Sequence, residues 1–138
     1  MKKIVLHLSL GMILFLSGAF KSQETGQIYF MRSTNNVGSL LAYRVYIDDQ
    51  VVCHLKNQRY SVHNVTPGEH TVSIKEGGLG SKGVSRPMKI KVEAGKSNYM
   101  VVINGKDIYM QESVESSAQE LLKRLAATTE CLPDKKDK

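Results

Sequence analysis

The feature that most constrains the fold is the alternation of apolar and polar residues between positions 27 and 110. In the stretch PMKIKVE, Met88, Ile90 and Val92 alternate with charged residues. Gly, Pro and Asn separate several such stretches. Alternation over short runs is typical of half-buried antiparallel strands, and many short strands at close spacing indicate a sandwich or a barrel. The sequence therefore predicts an all-β antiparallel sandwich of seven or eight strands over residues 25–111.

A meander of three strands with one buried face is predicted from Ala42 to Asn64. A three-residue loop, Asp48-Asp49-Gln50, places Val45 opposite Cys53. A two-residue loop, Asn57-Gln58, then continues the same buried face into the third strand. A slip of one residue would turn the whole apolar set toward water, so the register should be well specified.

The segment Thr66-Pro67-Gly68-Glu69 is a turn signal, because Pro presets φ and Gly accepts a positive φ. A Pro-Gly type II turn has the wrong twist for a tight hairpin. We therefore expect a wider loop here, or a corner where the chain passes from one sheet to the other.

The stretch SVESSAQELLKRLAATTE places apolar residues at helical spacing. It predicts one amphipathic helix over residues 113–127, about four turns long and packed on the domain, with Ser113 as its N-cap. The tail, residues 133–138, is predicted to be disordered because it is short, charged and terminal.

The N-terminus has the layout of a secretory signal. Lys2 and Lys3 precede an apolar run from Ile4 to Leu16, and Ser17-Gly18-Ala19 supplies small residues for a peptidase. Residues 1–19 are predicted to be cleaved, which makes the protein periplasmic or secreted. The run falls short of the about 20 residues that span a bilayer. A retained anchor stays open as the alternative and would be the only contact with the membrane.

The net charge and the two cysteines indicate which partners and which covalent link this protein can have. Without Lys2 and Lys3, Lys+Arg falls from 19 to 17 against 13 acidic residues, a mild excess. Because the basic residues are dispersed, no nucleic-acid partner is expected. Export permits a disulfide between Cys53 and Cys131, but a buried thiol at Cys53 is the alternative that the sequence leaves open.

Two patterns in the sequence are candidate chemical sites. GLGSKG at residues 78–83 matches a dinucleotide motif, but a strand follows it where the motif needs a helix, so no cofactor is predicted. In the predicted register His54 and His63 are outward neighbours on adjacent strands, within reach of a shared metal. No acid obviously completes that set, and the preferred interpretation is two surface imidazoles, with no metal and no catalytic residues.

The run TGQIYFMRS contains the first predicted strand, which ends in Arg32. Two further pieces follow it along the chain, VYIDDQVVCHLKNQRY and PGEHTV. On these pieces the segment Thr25 to Ile74 resembles the bacterial family catalogued as domain of unknown function 2846. PGEHTV also resembles the corner of small envelope β-domains named for the motif Pro-Glu-Gly-Ala. The resemblance implies an exported β-sandwich with no known activity. Lipid anchoring, common in that family, lacks its Cys here.

The function predicted from the sequence is a non-enzymatic, exported module of the cell envelope that binds or scaffolds an unknown envelope protein or glycan. Its predicted interaction surface consists of Arg32, Arg44, Tyr46 and Arg59, since Arg and Tyr are frequent at interfaces. The alternative is a metal-dependent or hydrolytic envelope enzyme that uses His54 and His63.

Overall fold

The computed structural model describes residues 23–34, 40–78, 83–129 and 131. Within these ranges the chain forms two facing β-sheets and one short helix, which confirms the predicted all-β sandwich. The elements are β1 Gly26–Arg32, β2 Tyr43–Ile47, β3 Gln50–Leu55, β4 Arg59–Val65, β5 Gly68–Glu76, β6 Met88–Val92, β7 Ser97–Asn104, β8 Ile108–Ser113, α1 Glu115–Leu122 and β9 Ala126–Ala127. The predicted signal segment 1–19 and tail 133–138 lie outside the described residues. No helix in the described part is long and apolar enough to cross a membrane.

The strands are ordered β8-β7-β1-β4-β9 in a five-stranded sheet and β3-β2-β5-β6 in a four-stranded sheet. Most neighbouring strands pair antiparallel, as predicted, but β1–β7 and β4–β9 are parallel. The first follows from the crossover after β6. The chain re-enters the five-stranded sheet at the end where β1 begins, and the Gln27 amide donates to Lys96 O at 2.9 Å.

The main core lies between the two sheets, where inward side chains such as Phe30, Leu55 and Ile74 are fully buried. A second, smaller core lies on the outer face of the five-stranded sheet, under α1. Its buried members are Met31, Tyr99, Ala118 and Leu125. The outer face of the five-stranded sheet is therefore covered in part, under α1, while Val62 on β4 and Tyr109 on β8 are exposed.

The hairpin between β2 and β3 pairs Val45 with Cys53, as predicted, but the predicted three-residue loop is wrong. Ile47 pairs with Gln50 across a two-residue turn. Asp48 and Asp49 both have positive φ, 48° and 62°, which is the geometry of a type I′ turn. A register shift between Val45 and Tyr46, a β-bulge, restores the inward register that the shorter turn would have lost.

The predicted hairpin between β3 and β4 is wrong, because the two strands belong to different sheets. Asn57 and Gln58 form a corner that carries the chain across the sandwich. The predicted faces of β4 are also inverted, since Ser61 and His63 point into the main core while Val62 points outward. The second core explains this for Tyr60, which packs against it, whereas Val62 is 36% exposed. By contrast, Thr66–Glu69 does form a corner between sheets, one of the two outcomes expected for it.

The helix is shorter than predicted, Glu115–Leu122 in place of 113–127, and its N-cap is Val114 rather than Ser113. It ends early because the following residues form backbone bonds with the edge strand β4. The Ala126 amide donates to Gln58 O at 3.2 Å, and the Thr128 amide donates to Tyr60 O at 2.8 Å.

Arg32, at the end of β1, is fully buried, so its predicted place on an interaction surface is wrong. Its Nη1 donates to Leu55 O at 2.9 Å and to Leu41 O at 2.5 Å, and its Nε donates to Thr34 Oγ1 at 3.3 Å. The guanidinium carbon lies 3.5 Å from the ring centroid of Tyr43. Burial lowers the pKa of Arg32, yet an arginine side chain stays charged at any ordinary pH.

We expect Arg32→Met to lower the free energy of unfolding by about 2–4 kcal/mol, because the buried carbonyl of Leu55 and the part-buried carbonyl of Leu41 lose their donor. Urea denaturation followed by circular dichroism measures this change. Arg59→Met is the matched control, since Arg59 is the register partner of Arg32 on β4 but is exposed. Equal stability of Arg32→Met and the wild type would mean that desolvating the charge costs as much as its bonds contribute.

Candidate functional site

The outer face of the four-stranded sheet carries a concentration of positive charge. Alternation along β2, β3, β5 and β6 turns one set of side chains away from the core. We call the basic members of this set the basic face: Arg44, His54, Lys75, Lys89 and Lys91. Arg44, His54, Lys89 and Lys91 are exposed and Lys75 is half-buried. The face also carries Glu69, which forms an exposed ion pair with Lys89 at 3.0 Å.

Three members of the basic face are direct neighbours across the strands. Arg44 on β2 is the register partner of His54 on β3 and of Lys75 on β5. Neighbouring strands lie about 4.8 Å apart, so the three side chains leave the sheet in one row. Like charges in directly opposite positions are unfavourable. The Arg44–Lys75 pair in this row therefore costs folding free energy.

The predicted interaction surface is divided by the fold. Arg44 and Tyr46 share the outer face of β2, as predicted. Arg59 is exposed but belongs to β4 in the other sheet, and Arg32 is buried. The four residues therefore do not form one surface, and the basic face replaces them as the candidate binding region.

The predicted pairing of His54 with His63 is also wrong. His54 is exposed on the four-stranded sheet, whereas His63 is 2% exposed and points into the core from the five-stranded sheet. His63 Nε2 lies 3.0 Å from Ser61 Oγ, and its ring meets that of Phe30 edge-on at 5.6 Å between centroids. The two histidines therefore cannot share a metal ion.

Cys53 and Cys131 are joined in a disulfide, one of the two alternatives that the sequence left open. After β9 pairs with β4, the chain crosses the open side of the sandwich, and Cys131 forms a β-bridge with Cys53 on β3. The disulfide thus fastens the C-terminal segment to β3 at the edge of the four-stranded sheet, while β9 is paired with β4 in the other sheet. His63 lies beside it: its ring and the two sulfur atoms offer three ligand atoms within 4.8 Å of one another.

A second polar cluster joins the turn after β2 to the corner before β5. His70 Nδ1 lies 2.7 Å from Asp48 Oδ2, and His70 Nε2 lies 2.7 Å from Thr66 O. Asp48 also accepts the Thr71 amide at 2.9 Å. Both ring nitrogens of His70 face acceptors, so the doubly protonated imidazolium satisfies the geometry best.

The pKa values of this cluster shift accordingly. For His70, burial opposes the charged form, but the bonds to Asp48 and Thr66 outweigh it and raise the pKa above the ordinary 6.5. For Asp48, burial also opposes the charge, but the bonds from Thr71 and His70 lower the pKa below 3.8. The cluster joins the turn after β2 to the corner before β5 through both nitrogens of the His70 ring, and we call it the clip.

Sequence reasoning missed Lys75, Lys89 and Lys91 as members of a site, although the alternation in PMKIKVE already placed two of them on one outward face. It missed the cluster of His63 with the disulfide because that cluster depends on which sheet contains β4. No local signal in the residues around His63 reports that choice.

The fold and the site define a class: a two-sheet β-sandwich with a disulfide-fastened C-terminal segment and a basic outer face. The chain belongs to the family described as Protein of unknown function (DUF2846), whose model matches residues 22–116. The match spans β1 to β8 and ends as α1 begins, so the predicted resemblance to this family is confirmed. Comparisons with curated proteins and with solved structures gave no significant match.

The clip between His70 and Asp48 predicts a specific pH dependence. A raised folded-state pKa means that the contribution of His70 is complete below about pH 6.5 and is lost as the pH rises through that folded-state value. The contribution of Asp48 is lost only under strong acid, as the pH falls through its lowered pKa. We expect the free energy of unfolding to fall by about 0.5–1 kcal/mol from about pH 5.5 to about pH 8.5, the size typical of a partly exposed ion pair.

Urea denaturation of the wild type and of His70→Gln at several pH values measures this dependence. His70→Gln should flatten it. The matched control is Asp49→Asn, which changes the neighbouring carboxylate of the same turn but none of the clip's bonds and should leave the dependence intact. An unchanged pH profile in His70→Gln would show that the clip contributes nothing.

Proposed function

We propose that the protein is an exported, non-enzymatic module of the cell envelope that binds an acidic partner protein through the basic face. Three observations support export: the signal pattern at residues 1–19, the family resemblance and the disulfide, which persists in oxidising compartments. The opposing hypothesis, an enzyme built on His54 and His63, lacks geometric support because the two side chains lie on opposite sides of the four-stranded sheet.

The row of His54, Arg44 and Lys75 is the observation that carries the binding proposal. A sheet that served only to bury its inner face would gain from opposite charges in neighbouring positions. The chain instead places basic residues side by side there. An acidic surface docked on this face would convert the repulsion into attraction, which is the electrostatic complementarity of protein interfaces.

The shape of the face favours a protein over a glycan as the occupant. Four adjacent strands present a broad surface, and standard protein interfaces bury about 800 Å² on each partner. Tyr46 lies beside Arg44 on the same strand face, and Tyr and Arg are the residues most enriched at protein interfaces. The contact would be strongest at low ionic strength, because exposed charges are screened beyond about 8–10 Å in ordinary salt.

We expect Arg44→Glu to weaken binding to an acidic polypeptide, poly-L-glutamate, by about three- to tenfold at low salt, because it places a negative charge in the middle of the row. Fluorescence anisotropy with labelled poly-L-glutamate measures this. Arg124→Glu is the matched control, since Arg124 is exposed beyond α1 and its reversal changes the net charge equally. Equal weakening by both variants would mean that the net charge of the protein, and not the basic face, determines binding. Tighter binding to polygalacturonate than to poly-L-glutamate would show that the partner is an acidic glycan and not a protein.

Export is tested separately. When the full chain is expressed in a Gram-negative bacterium, we expect the periplasmic fraction to contain a product whose mass corresponds to cleavage after Ala19, because small residues there follow the apolar run. Intact-mass spectrometry of the fractions gives the cleavage site. Full-length chain in the cytosol alone would contradict export, while full-length chain in the membrane fraction would establish a retained anchor.

A further inference from the structure

We propose that reduction of the Cys53–Cys131 disulfide converts this corner of the core into a site for one copper(I) ion, with the two thiolates and His63 as its ligands. The three residues come from three separate parts of the fold: Cys53 from β3, His63 from β4 and Cys131 from the segment after β9. The site is thus assembled only when the two sheets and the C-terminal segment come together.

The distances suit a common metal ion once the sulfur atoms separate. The ligand atoms already lie within 4.8 Å of one another. Ligands bound at about 2.0–2.3 Å to one ion lie roughly 3.5–4 Å from each other. Reduction replaces a covalent sulfur–sulfur bond by a van der Waals separation, which moves the two sulfur atoms toward that spacing. In the oxidised form the same atoms cannot bind, because both sulfurs are in the disulfide.

The chemistry of the ligands selects the metal. Thiolates are soft ligands and favour copper(I), which is satisfied by three ligands. Structural zinc sites almost always have four protein ligands, and the cluster in the described residues supplies three. Cys53 is fully buried, Cys131 is half-buried, and the Phe30 ring meets the His63 ring edge-on, so the cluster has little exposure to water. The contact between His63 Nε2 and Ser61 Oγ at 3.0 Å holds the imidazole ring in place within the core.

Reduction of the disulfide and binding of copper(I) are two separate steps. A dithiol reductant gives two electrons and two protons to the disulfide and becomes a disulfide itself, which leaves Cys53 and Cys131 as thiols. Copper(I) then displaces the two thiol protons and takes the lone pair of neutral His63. Reoxidation of the cysteines would release the ion, so metal binding and the disulfide exclude each other.

Other contacts keep the C-terminal segment in place after reduction. β9 stays paired with β4, Leu125 is 9% exposed within the second core, and the Thr128 amide donates to Tyr60 O. Cys131 follows these anchors by only a few residues. The reduced thiol is therefore held near Cys53 and His63.

The test uses the full chain without its signal segment, reduced with a phosphine under nitrogen and titrated with copper(I) against the chelator bicinchoninate. We expect one copper(I) per chain and a higher melting temperature of the reduced protein when copper(I) is present. His63→Gln should weaken the affinity at least about tenfold, since the loss of a ligand costs no less than the loss of an outer-shell partner. His70→Gln, whose ring lies outside this cluster, should bind as the wild type does.

Several outcomes would overturn the proposal. Equal affinity for copper(I) in His63→Gln and the wild type would mean that the two thiols bind the ion without the imidazole. Binding that lowers the melting temperature would place copper on the unfolded chain. Loss of the β-sheet circular dichroism signal on reduction, not recovered by copper(I), would show that the disulfide is purely structural. Tighter binding of Zn²⁺ than of copper(I) would overturn the choice of metal.

Discussion

The buried guanidinium of Arg32 connects the two sheets, and the arrangement of the remaining elements depends on this connection. Arg32 ends β1 in the five-stranded sheet, but it donates to Leu55 O at the end of β3 and stacks on Tyr43 of β2, both in the four-stranded sheet. Beside it, Thr34 and Asn57 exchange hydrogen bonds of 2.9 and 2.6 Å between the backbone of one and the side chain of the other. These bonds fix the corner at which the chain leaves one sheet and enters the other. A hairpin between β3 and β4 would separate every one of these pairs.

That corner determines which face of β4 is inward, and it is the point at which reasoning from the sequence failed. Period-two alternation correctly located the strands and the inward residues of β2 and β6. On β4 the apolar residues Tyr60 and Val62 were assigned to the sandwich core, whereas Tyr60 packs toward α1. Where the outer face of a sheet is also covered, even in part, hydrophobicity no longer distinguishes inside from outside. The polar pair Ser61 and His63 could enter the core because each satisfies the other.

Local turn chemistry shows the same division between what the residues determine and what tertiary contacts decide. Asp tolerates positive φ, so a tight turn at Asp48-Asp49 was within reach of the sequence, but its length depends on a bulge that only the paired strand reveals. The end of α1 was predicted too late for a related reason. Residues beyond Leu122 retain helical spacing, yet the unpaired edge of β4 offers their backbone a competing set of hydrogen bonds.

The two candidate sites differ in how far the sequence could predict them. The basic face follows from alternation alone once β2, β3, β5 and β6 share a sheet, because outward positions are fixed by period two. The cluster of Cys53, His63 and Cys131 requires the sheet crossing, since His63 meets Cys53 across the core only when β3 and β4 lie in opposite sheets. In a single meander the same two residues would point to opposite faces and never meet. The sheet crossing anchored by Arg32 therefore brings a nitrogen ligand beside the disulfide.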